Sequence, residues 1–228
     1  VTTLDHVSDG RAILGLGAGW FEAEHTAFGI EFGQSPGRRL AWLDESVAAI
    51  RALLDGETVI SPEGGRYSIQ EAVLFPKPVQ SHLPILIGGG GEQKTLRTVA
   101  RYADIWNWVG LEDLERMRAK HTVFEQRCEE AGRDPAAIER SVFFSPVIRD
   151  SEDEALRFLR TQMEANLLDE SVLGDADIYV TTPERITELM IAWKEIGVTS
   201  FIIEIAAPFD DETAARFATE IRPLVEAA

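Results

Sequence analysis

The chain has 228 residues, of which 45% are apolar and 27% charged, as is typical of a folded globular protein. Its 39 acidic and 22 basic side chains give a formal net charge of −17, which disfavours binding to nucleic acids and to anionic membrane surfaces. The one cysteine, Cys128, excludes an internal disulfide framework and a Cys-rich zinc site. No apolar run reaches the roughly 18 residues of a membrane span, and the polar first ten residues are unlike a signal peptide. We therefore expect a soluble cytoplasmic protein.

Short apolar runs alternate with helical patterns along the chain. Five runs predict buried strands, centred near Leu14, Leu86, Trp106, Phe144 and Ile203. The helices with clear start signals are predicted to begin at the N-cap residues Ser35, Ser151, Thr182 and Asp210. Buried strands that alternate with helices are typical of a parallel α/β fold, and no Ser- or Pro-rich linker divides the chain. We predict one domain over residues 1–228.

Two stretches interrupt this alternation. In residues 57–75, β-branched segments flank a turn at Pro62 and Gly64. This pattern predicts a β-hairpin, which we assign to an insertion at residues 57–80. Residues 169–181 are predicted to be an acidic connection that leads into the helix at Pro183.

Glycines follow the first predicted strand, at Gly17 and Gly19. A dinucleotide-binding fingerprint needs another glycine at the position of Trp20 and a helix that begins at once, whereas the clear helix begins only at Pro36. The Rossmann interpretation therefore fails. Glycine at the carboxyl end of a strand lets a ligand approach the backbone, but it also permits close packing at a turn. The residues alone leave both interpretations open.

The strongest local signal is a run of four glycines, Gly88 to Gly91, between a predicted strand and a predicted helix. The segment resembles the P-loop pattern GxxxxGK[ST], but Gln93 stands where the second glycine belongs, so we exclude an NTPase. Bare backbone amides and the helix dipole favour an anion at such a place. We predict phosphate binding there, against the alternative of a flexible turn.

Three tryptophans, Trp20, Trp106 and Trp108, fall near the carboxyl ends of predicted strands. In an α/β barrel, that rim holds the active site. A single tryptophan in such a place more often belongs to the core. Three of them at one rim favour a flat aromatic ligand.

The other polar motifs are weaker. The four histidines form no metal-ligand pair, and neither HExxH nor GxSxG occurs, so we predict no metal and no covalent catalysis. His121 lies on an apolar helix face and is expected in the core. Glu24 and His25, in the predicted loop after the first strand, are the candidates for acid–base chemistry, although a lone loop histidine more often belongs to the surface. Arg38 and Arg39 oppose the dipole at a helix start, so they bind an anion or pair with an acid, and we expect the pairing.

Five segments then occur in a characteristic order: LDHVSDGRAILGLGAGWFEAEHTAFG, GRRLAWLDESVAAIRALLDGETV, GRYSIQEAVLFPKPVQSHLPILIGGGGEQKTLRTVARYADIWN, TTPERITEL and GVTSFIIEIAAPFDDETAARFATEI. In this combination the chain resembles the bacterial luciferase-like superfamily, most closely the branch that uses the deazaflavin F420. The resemblance runs nearly the whole chain. It implies a TIM-like (β/α)8 barrel with a hairpin-bearing insertion.

The resemblance also implies a cofactor, F420 or FMN, at the carboxyl rim of the barrel. Its phosphate would be held by the residues of the second glycine run and the following helix start, which are Gly88, Gly89, Gly90, Gly91 and Thr95. Gly17, Gly19 and Trp20 would approach the isoalloxazine-type ring. The expected partners are a small-molecule substrate, a flavin or F420 reductase, and a second copy of the chain in a homodimer.

Two departures from the family pattern qualify these expectations. The family places about three strand–helix units before the LDHVSDGR segment, so we expect this sequence to be a fragment or a gene model begun at an internal codon. Catalytic residues of the absent strands are therefore unassigned. The sugar-phosphate dehydrogenase branch carries a glutamate where this chain has Trp20, which disfavours glucose-6-phosphate as the substrate.

Three functional hypotheses follow from the sequence. The first is an F420-dependent oxidoreductase that transfers hydride between the deazaflavin and a small organic substrate. The second is an FMN-dependent monooxygenase that uses reduced flavin and O2. The third is an inactive fragment or a flavin-binding module.

Overall fold

The computed structural model describes residues 1–109, 114–168 and 178–228. The chain divides into two compact units. Unit 1 comprises residues 1–107 and 122–139, and unit 2 comprises residues 108–121 and 140–228. The described strands are β1 (Leu14–Leu16), β2 (Ile85–Gly88), β3 (Ile105–Val109), β4 (Glu139–Ile148), β5 (Ile178–Thr181) and β6 (Ser200–Ile203). The described α-helices are α1 (Thr2–Val7), α2 (Glu22–Ala27), α3 (Pro36–Leu54), α4 (Thr95–Tyr102), α5 (Leu114–Ala131), α6 (Glu152–Ala165), α7 (Pro183–Glu195), α8 (Asp211–Arg216) and α9 (Arg222–Ala227).

Unit 1 is built on a parallel sheet. Strand β2 lies between β1 and β3, with Leu14 opposite Ile85 and Leu86 opposite Ile105. These strands are almost wholly apolar, and the central strand β2 is covered on both faces, with Ile85 and Ile87 fully buried. The fully buried side chains of the unit include Val47, Leu83, Ile85, Ile87, Leu96, Val99, Trp106 and Phe124.

Carboxylates hold the amino-terminal ends of these strands. The buried Asp5 accepts hydrogen bonds from the backbone N–H groups of Ala12, Val79 and Gln80 and from the Gln80 side chain. Burial raises the pKa of Asp5, but these hydrogen bonds outweigh it and leave the pKa below its ordinary value. Asp104 accepts from the N–H of Ile85 at 2.8 Å. The starts of β1 and β2 are therefore fixed by the chain's own side chains.

Unit 2 has a second parallel arrangement. Strand β4 pairs with β6 through its first half, where Phe143 lies opposite Ile202, and with β5 through its second half, where Val147 lies opposite Val180. Four aromatic rings pack together beside these strands, with centroids 5.6–6.4 Å apart: Phe144, Tyr179, Trp193 and Phe201. In the same unit, the buried Arg149 forms an ion pair with the buried Asp210, at 3.0 Å.

The predicted helix starts are confirmed. The side chains of the four N-cap residues each accept a hydrogen bond from a backbone N–H of the first helical turn, as capping requires. These residues are Ser35, Ser151, Thr182 and Asp210. Capping is local, so it can be predicted from neighbouring residues alone.

Four sequence predictions are corrected. Residues 178–181 form strand β5 rather than part of a connection, while residues 169–177 lie outside the described part of the chain. His25 belongs to a short helix, α2, rather than to a loop. Within residues 57–75, the predicted hairpin has one isolated bridge, between Val59 and Ala72, so its arms are less regular than expected. The last strand, predicted to be centred near Ile203, ends at that residue.

Of the helices that the structure describes, none combines the length and the apolarity needed to cross a membrane.

His121 is buried, as the helical pattern predicts, and its ring packs edge-on against Trp108. Burial, and after it the positive charge of Arg140, lowers the pKa of His121 from 6.5 to about 4. Between these pH values the unfolded chain binds a proton that the folded chain excludes. The free energy of unfolding should therefore fall from pH 6.5 to pH 4, by at most about 1.4 kcal/mol per pH unit from this residue.

Urea unfolding at pH 7, 5.5 and 4.5 measures this dependence. We expect His121→Gln, which does not titrate, to flatten the curve between pH 6.5 and 4 and to leave its slope unchanged above pH 7. The buried Asp210, whose pKa is lowered, affects the free energy of unfolding in a separate pH range, below its ordinary pKa of 3.8. An equally steep curve in the variant would contradict the assignment.

Candidate functional site

The two glycine segments lie side by side in unit 1. Parallel pairing of β1 with β2 aligns Leu16 with Ile87, so both strands end at the same edge of the sheet. At that edge, a methyl group added to Gly88 would lie 3.7 Å from the carbonyl oxygen of Leu16. The sheet therefore brings together segments that are about 70 residues apart in the sequence.

The segment after β1 is shaped by Gly19. Its φ of +74° lies in the left-handed region, and a Cβ there would stand 3.0 Å from the His25 ring. Both constraints require glycine. Gly17 differs because a Cβ at its position would meet nothing within 4 Å. Its backbone is therefore open to a ligand.

The segment after β2 wraps around the first residue of α4. Gly89 has a φ of +125°, and a Cβ on Gly91 would lie only 2.9 Å from Thr95 Oγ1. The N-cap position of α4 is Lys94, whose side chain makes no capping hydrogen bond. Within the described residues, the Thr95 hydroxyl also makes no hydrogen bond. The Leu96 N–H of the first turn already donates to the Gly91 carbonyl at 3.0 Å. The bare glycines, the other amides of the helix start and the hydroxyl group together form a site suited to an anion.

The buried Trp106 side chain holds the backbone of this segment in place. Its indole Nε1 donates a hydrogen bond to the carbonyl of Gly89 at 2.9 Å, and its ring stacks on Phe124. The N–H of Gly89 in turn donates to the carbonyl of Asn107 at 2.8 Å. These contacts fix the backbone of the glycine run without using its remaining amides.

The prediction that three tryptophans line the rim for a flat ligand is wrong for two of them. Trp106 and Trp108 are buried, as are Ile105 and Asn107 beside them, because β3 is a parallel strand that is covered on both faces. Trp20 is different. It follows Gly19 directly, is 84% exposed and contacts Phe21 with ring centroids 5.2 Å apart.

The two acid–base candidates both lie on α2. His25 is half-buried, and its Nδ1 lies 2.9 Å from the carbonyl oxygen of Phe21. Since a carbonyl only accepts, Nδ1 carries the proton in the neutral ring and Nε2 carries the lone pair. Glu24 is exposed, and its carboxylate has no hydrogen-bond or ion-pair partner in the described part of the chain. Of the two, His25 alone is held in place at the rim.

Arg39 is a rim residue, and its expected pairing with an acid is not found among the described residues. Instead of pairing with an acid, its Nε donates to the carbonyl of Gly19 at 3.1 Å, and its guanidinium lies 3.8 Å from the centre of the Phe32 ring. Its neighbour Arg38 also has no acidic partner among the described residues. The signal was present in the sequence, as two cations in the first turn of a helix, where the dipole disfavours them.

No group of three or more His, Cys, Asp or Glu side chains within the described ranges is placed to hold a metal ion.

Comparison with known proteins identifies the family. The model of the luciferase-like monooxygenase family matches residues 1–200. The chain belongs to the luciferase-like monooxygenase family. This confirms the resemblance stated from the five sequence segments.

Two mycobacterial relatives illustrate the range of the family. An uncharacterized protein of Mycobacterium tuberculosis is 39% identical over 106 residues, which are 46% of this chain and 36% of that protein. A phthiodiolone/phenolphthiodiolone dimycocerosates ketoreductase of Mycobacterium tuberculosis is 30% identical over 168 residues, 72% of this chain and 42% of that protein. The chain thus matches well under half the length of either relative.

Two solved structures of the family show the same fold. An F420-dependent secondary alcohol dehydrogenase, solved with an F420–acetone adduct, matches 98% of this chain and 72% of its own, with a TM-score of 0.79 and 22% identity. EDTA monooxygenase from Chelativorans sp. BNC1 matches all of this chain and 68% of its own, with a TM-score of 0.74 and 15% identity. The predicted fold class, α/β of the luciferase-like barrel type, is confirmed.

The two glycines after β1 should respond differently to alanine. In Gly19→Ala, the left-handed φ and the contact with His25 should lower the free energy of unfolding by about 1–2 kcal/mol. In the matched control Gly17→Ala, the added methyl group meets open space, and we expect a loss below about 0.5 kcal/mol. Urea unfolding of both variants at pH 7 measures the difference. Equal losses would show that His25 does not restrict the Gly19 position.

Proposed function

We propose that this chain is part of an F420-dependent oxidoreductase that transfers hydride between the deazaflavin and a small organic substrate. One observation carries the proposal. The carboxyl ends of β1 and β2 bring the two glycine segments side by side in unit 1, which supports a cofactor with a phosphate on one segment and a flat ring on the other. The fold shared with an F420-dependent secondary alcohol dehydrogenase supports the choice of F420.

The phosphate is assigned to the second glycine run. Within the run Gly88 to Gly91, the amides of Gly90 and Gly91 would be presented to it, whereas the Gly89 N–H already donates to Asn107. Thr95 would donate its hydroxyl from the first turn of α4. The helix dipole adds a favourable partial positive charge at this point. The indole N–H of Trp106 already donates to the Gly89 carbonyl, so this oxygen is turned away from the phosphate.

The ring of the cofactor is assigned to the first glycine segment. Gly17 and Gly19 leave the backbone bare there, and Trp20 offers an exposed aromatic face directly after them. Arg39 and His25 hold the segment in position through Gly19. When bound, the deazaflavin supplies the hydride chemistry, while the protein provides binding and orientation.

A second candidate is an FMN-dependent monooxygenase that takes reduced flavin from a partner reductase. The fold shared with EDTA monooxygenase favours it, and a phosphate site of this kind serves either cofactor. The third hypothesis is an inactive fragment or a flavin-binding module, which would bind the cofactor without turning over a substrate.

Direct binding distinguishes these candidates. Calorimetric titration of the full chain with F420 and with FMN should give tighter binding of F420. Binding of FMN alone, together with O2 consumption in the presence of reduced FMN, would favour the monooxygenase. If neither cofactor bound, both enzyme proposals would be overturned for this chain.

The phosphate assignment is tested at Thr95. Thr95→Val keeps the shape of the side chain and removes the hydroxyl, so we expect F420 to bind about tenfold to a hundredfold more weakly, as loss of a hydrogen bond to a charged group implies. Thr95→Ser should restore most of the affinity. In the control Thr98→Val, on the same helix, the hydroxyl removed is bonded to Asp44 instead, and F420 affinity should stay within about threefold. Equal effects at both positions would exclude a phosphate contact at Thr95.

A further inference from the structure

A separate pocket opens beside the first glycine segment, within unit 1. Its volume is about 220 Å³, and Gly17 and Ala18 form part of its wall. The rest of the wall comes from the end of β1, from α2, from residues 30–32 between α2 and α3, from α3 and from the tip of the 57–75 segment. Its principal side chains are His25, Phe32, Arg39, Trp42, Arg66 and Tyr67.

Of the two arginines in the pocket wall, one is paired with an acid among the described residues and the other is not. Arg66 forms an ion pair with Glu31, which also lines the pocket, so these two charges offset each other. Glu45, on the adjoining turn of α3, accepts from the backbone N–H groups of Arg66 and Tyr67. Arg39 has no acidic partner in the described part of the chain. In a protein with a net charge of −17, one uncompensated cation remains in the pocket wall.

The guanidinium of Arg39 is held in a fixed orientation. One face lies over Phe32 at 3.8 Å from the ring centre, and Nε is bonded to the carbonyl of Gly19. The two terminal nitrogens have no hydrogen-bond partner among the described residues. A fixed guanidinium fork with free terminal nitrogens matches the two oxygens of a carboxylate.

The remaining wall suits an apolar body. Phe32 also meets the edge of His25, with centroids 4.9 Å apart, and the Trp42 ring lies under the Arg66 guanidinium at 4.2 Å. These rings form flat, rigid surfaces around the Arg39 fork. A ligand with a carboxylate and a compact apolar body satisfies both features.

We propose that this pocket binds a small organic acid, whose carboxylate is held by Arg39 and whose apolar body lies against Phe32 and Trp42. Because Gly17 is shared with the segment assigned to the cofactor ring, the acid would be the substrate or a substrate analogue. That role rests on the proposed function, whereas binding of the acid does not.

The test uses benzoate as the probe, titrated calorimetrically into the full chain without cofactor. Benzoate should bind, and its neutral analogue benzamide should bind about tenfold more weakly or worse, because it lacks the charge that Arg39 recognises. Inorganic phosphate should bind more weakly than benzoate because it lacks the apolar body. Tighter binding of phosphate, or equal binding of benzamide, would overturn the proposed ligand class.

A matched pair of variants locates the site. Arg39→Gln should weaken benzoate binding about tenfold or more, while Arg38→Gln removes the same charge from the same helical turn, outside the pocket wall, and should change it less than about threefold. Equal weakening in both variants would overturn the proposal, because it would reflect net charge alone. Should Arg39→Gln fail to fold, Arg39→Lys keeps the charge without the fork and should weaken binding by an intermediate factor. Unchanged binding in Arg39→Lys would equally exclude recognition by the fork.

The outcome does not depend on the cofactor proposal. Benzoate binding that requires Arg39, in a chain that binds neither F420 nor FMN, would retain the pocket and remove the cofactor assignment. Cofactor binding without benzoate binding would retain the cofactor assignment and remove the pocket proposal.

Discussion

The candidate site depends on the parallel pairing of β1 with β2. These strands are three and four residues long and lie about 70 residues apart in the sequence, yet their register sets Leu16 beside Ile87. Since parallel strands end at the same edge, this register alone brings the two glycine segments together. A shift by one residue would turn the apolar side chains of each strand away from their core contacts, so burial of Ile85 and Ile87 protects the geometry of the site.

The two ends of this sheet differ in how their backbone N–H groups are satisfied. At the amino-terminal ends, backbone N–H groups are satisfied by the carboxylates of Asp5 and Asp104. At the carboxyl ends, the chain supplies glycines and an uncapped helix start instead of side chains that would satisfy the amides. Within the described residues, side chains therefore satisfy backbone groups at the amino-terminal edge and leave more of them open at the carboxyl edge. The same division is general in α/β barrels, where the carboxyl edge carries function.

At the carboxyl edge of the sheet, a few shared contacts hold the two glycine segments in place. The Gly19 carbonyl accepts the Arg39 hydrogen bond, and a Cβ at Gly19 would come within 3.0 Å of the His25 ring. Both of these side chains also contact Phe32. Gly89 is held in a similar way by Trp106. Each glycine segment thus has one anchored carbonyl, while its neighbouring backbone stays exposed. Such anchoring would position the ring and phosphate of the proposed cofactor without filling their place.

The sequence by itself determined the features that depend on neighbouring residues. The caps at Ser35, Ser151, Thr182 and Asp210, the glycine segments and the alternation of apolar runs with helices were all predictable, because capping, backbone freedom and periodicity act over a few positions. The tertiary structure decided what depends on distant partners. Burial removed Trp106 and Trp108 from the rim, pairing with β4 made a strand of residues 178–181, and the approach of Gly19 turned Arg39 from an expected ion pair into a rim contact. Local pattern sets which element a residue joins, but only packing against remote segments sets which face it presents.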